Sequence, residues 1–145
     1  MPQDYIIRLL QQLGAVLASI AGKKSQGDWA AAEQEIADQC ERHTGLPFAV
    51  VKQSTPESLA QLLAMGGAMQ LPRSLMLAEL LCEDADLSER RGNPMAAAAS
   101  YAQAEALIAR ALPSLAGEDE AAFQEKQAVV VTKLRDLAGG SLPQH

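Results

Sequence analysis

Aromatic side chains are scarce in this chain, which has one Trp, two Tyr and two Phe among its 145 residues. Strands favour aromatic and β-branched residues, whereas the apolar content here is mostly Ala and Leu, which are strong helix formers. The composition therefore argues against a sheet. It predicts one all-α domain, because a chain of this length fits a single domain and can bury a sizeable core.

Cysteine and histidine are also rare, with two of each. Two thiols make no disulfide framework, and a structural zinc site needs about four ligands. Cys40 and His43 lie three residues apart on a predicted helix, but no second ligand pair accompanies them. We therefore expect Cys40 to pack in the core and His43 to lie at the surface in the last helical turn. We expect no metal and no cofactor.

Basic clusters are few, and the formal net charge is −6. Nucleic-acid binders usually carry a basic patch, but the clusters here are Lys23-Lys24 and Arg90-Arg91, each at a predicted helix end. There we expect them to offset helix dipoles. No apolar run reaches the ~18–20 residues that cross a bilayer, and the first residues lack the basic segment of a signal peptide. The sequence thus predicts a cytoplasmic protein that binds neither nucleic acid nor membrane.

Motifs for catalysis are missing as well. The chain has neither a Gly-x-Ser-x-Gly elbow nor a phosphate-binding loop, and His43 is its one histidine away from the end. The cluster Glu83, Asp84, Asp86 and Glu89 fails as a calcium loop, because the sixth position counted from Asp84 is Glu89 instead of glycine. We expect this cluster to be a solvated helix end. The chain is predicted not to be an enzyme.

What the sequence does contain is apolar residues at helical spacing, interrupted by Gly and Pro. These patterns predict five to seven helices in a domain over 1–139, followed by a flexible tail at 140–145. The stretch Leu46 to Gln53 is the least helical and fits either an extended segment or a helical turn. The predicted helices run from about Asp4 to Ala21, Asp28 to His43, Pro56 to Gly66, Pro72 onward, Pro94 to Ala111 and Glu118 to Ala138.

A weak internal repeat follows two glycines, Gly27 and Gly92. The positions five, nine and twelve residues after them are Ala32, Ile36 and Gln39 in the first copy, and Ala97, Tyr101 and Ala104 in the second. A small residue followed by a bulky apolar one suits the second helix of a close-packed antiparallel hairpin, because the small side chain lets two backbones approach. We therefore expect Ala32 and Ala97 to be buried.

The residues after these glycines resemble a known family. Gly-Asp-Trp-Ala-Ala-Ala at 27–32 is similar to the Gly-Asp-Tyr-x-x-Ala start of the second helix of a tetratricopeptide repeat, and Gly-Asn-Pro-Met-Ala-Ala at 92–97 is a looser match. The preceding helices lack the family's Trp-Leu-Gly-Tyr pattern. Asp4 to Leu10, with Leu-Ala-Glu-Leu-Leu at 77–81, also resembles an uncharacterised family of small bacterial tetratricopeptide-like proteins. The resemblance implies a right-handed stack of hairpins that serves as a protein-interaction scaffold.

Three residues form the candidate partner surface: Tyr5, Arg8 and Trp29. Aromatic residues and arginine are frequent hot-spot types at interfaces. The alternative is that Trp29 covers the end of the core and Arg8 lies over it. Helix one is apolar on many sides, so we expect the chain to act either alone or as a homodimer through this helix.

The second function hypothesis is a small-molecule-binding helical bundle. Its candidate residues are Arg8, Arg73, Glu79 and Tyr101, each of which also has an ordinary structural interpretation. A closed, largely apolar pocket with several converging polar groups would favour this hypothesis, whereas an open groove would favour the scaffold. Met65, Met69 and Met76 gather around one helix connection, where we expect them to fill the core.

Overall fold

A computed structural model describes residues 2–64 and 70–140, and it describes their side chains except at 2–7, 9, 10 and 140. These ranges contain α-helices and one short 3₁₀ turn but no strand, which confirms the expected all-α class. The helices are α1 (Pro2–Ser25), α2 (Trp29–Thr44), α3 (Phe48–Gln53), α4 (Pro56–Ala64), α5 (Gln70–Arg90), α6 (Pro94–Ala111) and α7 (Gly117–Gly140), and the 3₁₀ turn is Leu112–Ser114.

Two connections between helices have the same backbone geometry. Gly27, between α1 and α2, has φ 74°, and Gly92, between α5 and α6, has φ 78°. Such left-handed backbone is costly for residues with a Cβ, which explains why glycine stands at both places. We call α1 with α2 the first hairpin and α5 with α6 the second hairpin.

The residue after each glycine caps the helix that follows. The side chain of Asp28 accepts a hydrogen bond from the Ala31 amide at 3.3 Å, and Asn93 accepts one from the Ala96 amide at 3.2 Å. Each of these bonds satisfies an amide that the first helical turn leaves unpaired. The two turns are therefore built from the same local interactions.

Close packing within the hairpins follows the repeat. Ala32, Ile36 and Ala97 are fully buried, and Tyr101 is 4% exposed. The prediction that both alanines are buried is confirmed. The first copy departs at its third position, where Gln39 is half-buried and the adjacent Cys40 is fully buried instead.

Helix α5 lies at the centre of the molecule, where it packs against α1, α2, α4 and α6. Most of its side chains are buried, from Pro72 to Leu87. The helix continues without interruption through the acidic stretch 83–86 to Arg90. Helix α6 packs on α4 and α7 as well as on α5, so the second hairpin has neighbours on more sides than the first.

The stretch Leu46 to Gln53, which fitted either an extended segment or a helical turn, is helical from Phe48 to Gln53. Helix α4 begins as predicted, because Thr55 Oγ1 accepts a hydrogen bond from the Ser58 amide at 3.1 Å and Pro56 is the first helical residue. Three carboxylates in the first turn of α7 suit the positive end of its dipole.

The largest boundary difference is at the end of α1. Gly22 lies inside this helix, which continues to Ser25, because the chain reverses at Gly27.

Met76 is buried in the core as expected, whereas Met65 and Met69 lie outside the described residues, as do residues 141–145 of the expected tail. Over 2–64 and 70–140, no helix combines the length and the apolar content needed to cross a membrane.

Candidate functional site

An open cleft of about 500 Å³ lies where the two hairpins meet. Helices α2, α3, α5 and α6 and the turn after α5 all contribute to its walls. Most of the lining side chains are polar or charged, so the cleft differs from the apolar core beside it. The lining residues are Glu33, Phe48, Lys52, Asp84, Ser88, Arg91, Asn93 and Ala96.

The rim of the cleft carries an ion pair between the hairpins. The Arg91 guanidinium lies 2.9 Å from the Glu33 carboxylate, and their side chains are 39% and 58% exposed. Ion pairs this exposed contribute little to stability, about 0–1 kcal/mol. The ion pair can therefore open at small cost, and each group can then pair with a bound molecule instead.

The floor of the cleft carries a second, more buried pair. Lys52 Nζ lies 3.0 Å from Asp84 Oδ2, and the Ser100 hydroxyl donates a hydrogen bond of 2.8 Å to the same oxygen. Lys52 also donates to the Ser100 hydroxyl. Because Ser100 is fully buried beneath this pair, it offers no nucleophile to the cleft.

Gln103, one turn after Ser100 on α6, fixes the position of α3. Its Nε2 donates hydrogen bonds of 2.8 Å to the carbonyl oxygens of Val51 and Ser54. Those carbonyls belong to the C-terminal end of α3, where helical hydrogen bonding leaves acceptors unpaired. Gln103 thereby holds Lys52, which lies between these two residues, at the cleft.

Beside the cleft, Lys24 of α1 reaches across to α5. Its side chain is 5% exposed, and Nζ lies 2.6 Å from Glu83 Oε1 and 2.7 Å from Asp86 Oδ2. Arg90 Nε also lies 2.8 Å from Asp86. Burial raises the pKa of the Asp86 carboxyl, but the hydrogen bonds from Lys24 and Arg90 outweigh it, so the pKa lies below its ordinary value.

These contacts correct two expectations. The acidic cluster is not a solvated helix end, because α5 continues through it and Asp84 is 8% exposed. The basic clusters do more than offset helix dipoles, since Lys24 and Arg91 pair with carboxylates on neighbouring helices. The clusters do stand at helix ends as expected, but the sequence pattern does not reveal that the ends of α1 and α5 lie against other helices.

The thiols lie outside the cleft. Burial raises the pKa of the Cys82 thiol to about 12, although nearby Lys126 lowers it. Burial likewise raises the pKa of Cys40, which packs in the core as expected. His43 is half-buried and hydrogen-bonds Gln39 Oε1 at 3.0 Å. Among the described residues, no three His, Cys, Asp or Glu side chains are arranged to hold a metal ion.

The sequence-predicted partner surface is spread along the first hairpin. Arg8 is exposed, but it lies 17 residues before the end of α1, about 25 Å along the helix from the turn that leads to Trp29. Trp29 is half-buried and packs against the core. The side chain of Tyr5 lies outside the described residues. The structure therefore does not bring Arg8 and Trp29 together, and a role for each in partner binding stays a prediction.

The candidate residues of the small-molecule hypothesis do not line the cleft either. Glu79 pairs with Lys126 at 3.0 Å, and the Tyr101 hydroxyl donates a hydrogen bond of 2.8 Å to Glu89. Arg73 has a buried Nε without a partner in the part of the chain that the structure describes. Glu79 and Tyr101 therefore belong to two separate structural contacts.

Sequence reasoning missed Lys52, Asp84 and Ser100 as members of one group. A signal was present on α6, where Ser100 and Gln103 are polar residues three apart in an otherwise Ala-rich segment. Two polar residues on one face of an apolar helix indicate buried hydrogen bonding, because buried polar groups need partners. Their partners on α3 and α5 could not be inferred without the fold.

The geometry defines a class of protein: an all-α molecule in which two similar helical hairpins meet at a polar cleft. Comparison with protein-family models, with curated protein sequences and with solved structures finds no match to this chain.

Proposed function

We propose that this protein is a non-catalytic interaction module, built as a tetratricopeptide-like stack of hairpins, that binds a peptide segment of a partner protein in the polar cleft. The observation that carries the proposal is the open cleft at the junction of two hairpins with the same turn. Stacked helical hairpins characteristically expose an extended surface of this kind to a partner.

The register of buried residues supports a true repeat. Ile20 and Ala85 lie seven residues before Gly27 and Gly92, respectively, and both are fully buried. The buried residues Leu13 and Ala78 lie fourteen residues before the same glycines. The correspondence therefore extends into the first helix of each hairpin, where the sequence resemblance to the tetratricopeptide pattern is absent.

The form of the cleft favours a peptide over a small molecule. Small-molecule sites usually enclose most of their ligand, whereas this cleft is open and carries an exposed ion pair at its rim. Phe48 supplies a half-buried aromatic surface beside the Arg91–Glu33 pair. A peptide that presents one apolar side chain to Phe48 and an acidic group to Arg91 would match this arrangement.

Ser88 lines the cleft, but no histidine is among the described lining residues to act as its general base, which supports a non-catalytic role. Ser100 is fully buried, and its hydroxyl is engaged by Asp84 and Lys52. We infer that the floor of the cleft is structural, and that the exposed rim makes the contacts with the partner.

The homodimer through helix one stays a second part of the proposal. Ile7 and Leu10, whose substitution by polar residues is predicted to yield a monomer, have side chains outside the described residues. Farther along α1, Val16 and Leu17 are half-buried. The mass of the unmodified protein in solution, measured by light scattering, decides this part, and a monomer would reject it.

Selection of short random peptides on the immobilised protein tests the proposed function. We expect enriched sequences with an apolar residue next to an acidic one. Arg91→Ala should weaken their binding by about tenfold or more, because arginine is a frequent hot-spot residue and Arg91 would pair with the acidic group of the peptide. Arg135→Ala on α7 is the matched control, since Arg135 is also exposed and lies away from the cleft. Its binding should equal that of the unmodified protein.

Two results would reject the cleft as the binding surface. One is a selection that enriches nothing over an unrelated helical protein. The other is a set of peptides whose affinity falls equally in the Arg91 and Arg135 variants, since that would indicate nonspecific attraction to positive charge.

A further inference from the structure

A second, smaller pocket lies on the opposite part of the second hairpin, between α4, α5, α6 and the 3₁₀ turn. Its volume is about 180 Å³, which equals the space of about six water molecules. The pocket shares no residue with the cleft. Leu71 and Leu107 form part of its apolar wall, and Gln70, Ser74, Arg110 and Ser114 are its polar lining residues.

The charged side chain among the lining residues of this pocket is a cation, Arg110. Arg110 is exposed at the surface and has no ion-pair partner within 2–64 and 70–140, and no carboxylate lines the pocket. Arg42, Arg73 and Arg135 likewise have no ion pair among the described residues, but of these four arginines it is Arg110 that lines the pocket. An isolated guanidinium beside neutral donors is suited to an anion, because it offers several N–H groups in a planar fork.

Ser74 provides a second and independent observation. It is 8% exposed and lines the pocket, yet its hydroxyl makes no hydrogen bond to the described part of the protein. Two other helical serines satisfy their hydroxyls internally, Ser25 with the Ala21 carbonyl and Ser100 with Asp84 Oδ2. The Ser74 oxygen is not among the buried side-chain atoms that lack a partner, so the hydroxyl is accessible and can donate a hydrogen bond to a ligand in the pocket.

The position of the pocket places the positive end of a helix dipole beside it, which favours a bound anion. Gln70 and Leu71, the first two residues of α5, line it, so the pocket lies at the N-terminal end of a 21-residue helix. That end carries the positive pole of the dipole and amides without helical partners, and α5 has no acidic residue in its first turn to occupy them.

We propose that this pocket binds a small oxyanion, either free phosphate or the carboxylate of a small organic acid. Arg110 would pair with the charge, and Ser74 would donate its hydroxyl hydrogen to an oxyanion oxygen. The volume admits a single small group, since drug-sized ligands occupy about 300–1,000 Å³. The site is independent of the peptide-binding cleft, and either proposal can fail without the other.

Titration of the full chain with inorganic phosphate, followed through backbone amide chemical shifts, tests the proposal. We expect saturable shifts at Gln70, Leu71 and Ser74, with a Kd on the order of 1 mM for a single small anion. At ten times this Kd, the melting temperature should rise by about 4 °C relative to chloride at equal ionic strength. Acetate and sulfate form parallel arms: preference for acetate assigns a carboxylate ligand, and preference for phosphate or sulfate assigns a tetrahedral oxyanion.

Two variants and one control complete the experiment. Arg110→Gln should weaken binding by about tenfold or more, because a hydrogen bond to a charged group is lost, and Ser74→Ala should weaken it by a smaller factor. Arg135→Gln removes an exposed arginine from α7 and should leave the affinity unchanged. Shifts that do not saturate, or an affinity that Arg110→Gln leaves unchanged, would overturn the proposal.

Discussion

The two hairpins have the same turn but different surroundings. Both reverse at a glycine with φ near 75°, and the residue after each glycine caps the next helix. The first hairpin lies at one side of the molecule, where α1 packs mainly on α2 and α5, whereas α5 of the second hairpin packs on four helices. Local sequence therefore determines the turn, and the tertiary surroundings determine what the neighbouring residues do.

The third residue before each glycine shows this difference. In the first hairpin it is Lys24, which is buried between two carboxylates of α5. In the second hairpin it is Glu89, which accepts a hydrogen bond from Tyr101 and lies 3.6 Å from Lys133 of α7. Each residue ties its hairpin to the next layer of helices, although the two carry opposite charges.

The largest expected effect compares leucines in the two hairpins. The side chains of Leu80 in α5 and Leu13 in α1 are at most 1% exposed. Replacing Leu80 with Ala should lower the free energy of unfolding by about 4 kcal/mol, and replacing Leu13 by about 3 kcal/mol, because α1 has fewer neighbours and can relax into the cavity. Urea denaturation measures both values. A larger cost at Leu13 would contradict the central position of α5.

The next effect compares the two residues that precede the turns. Lys24→Met should cost about 2 kcal/mol, because it leaves Glu83 without its cation and leaves Asp86 with Arg90 alone. Glu89→Gln should cost about 0.5 kcal/mol, because the amide oxygen still accepts from Tyr101 and a partly exposed ion pair is lost. Lys23→Met serves as the control, since Lys23 is more exposed, and its cost should stay below about 0.5 kcal/mol. Equal costs at positions 24 and 89 would mean that burial of Lys24 is unimportant.

The helices and turns could be predicted from the sequence, because their signals are local. Pro94 to Ala111 was bounded by Asn93, a capping residue, and by Pro113, and the structure has the same bounds. The cleft could not be predicted in this way. Lys52, Asp84 and Ser100 come from three helices, and the packing of α3 and α5 against α6 brings them together. The same limitation made the acidic stretch of α5 look solvated.

A smaller effect tests whether the two turns are equivalent. A Cβ at Gly27 or Gly92 would meet no atom within 4 Å, so the cost of alanine comes from the positive φ alone. Gly27→Ala and Gly92→Ala should each lower the free energy of unfolding by about 1–2 kcal/mol, with less than about 0.5 kcal/mol between them. Gly14→Ala in α1 should instead stabilise by about 0.5–1 kcal/mol, because alanine is the better helix former there. A clear difference between the two turn variants would show that tertiary strain acts on one of them.

The smallest effect concerns acid and the junction between the hairpins. The pKa of Asp86 is lower in the folded protein than its ordinary value of 3.8, so its contribution to stability is complete above that value and is lost as the pH falls through the folded pKa. Thermal melts should therefore show a shallower loss of stability between about pH 4 and pH 2 in Asp86→Asn than in the unmodified protein.

Because Lys24 joins Asp86 to the first hairpin, protonation loosens α1 before it affects the second hairpin. Amide exchange at the end of α1 should consequently accelerate at a higher pH than exchange in α6, after correction for intrinsic rates. Asp136→Asn, which changes an exposed carboxylate on α7, should follow the unmodified protein in both measurements. Simultaneous loss of protection in α1 and α6 would show that the two hairpins, despite their different surroundings, open as one cooperative unit.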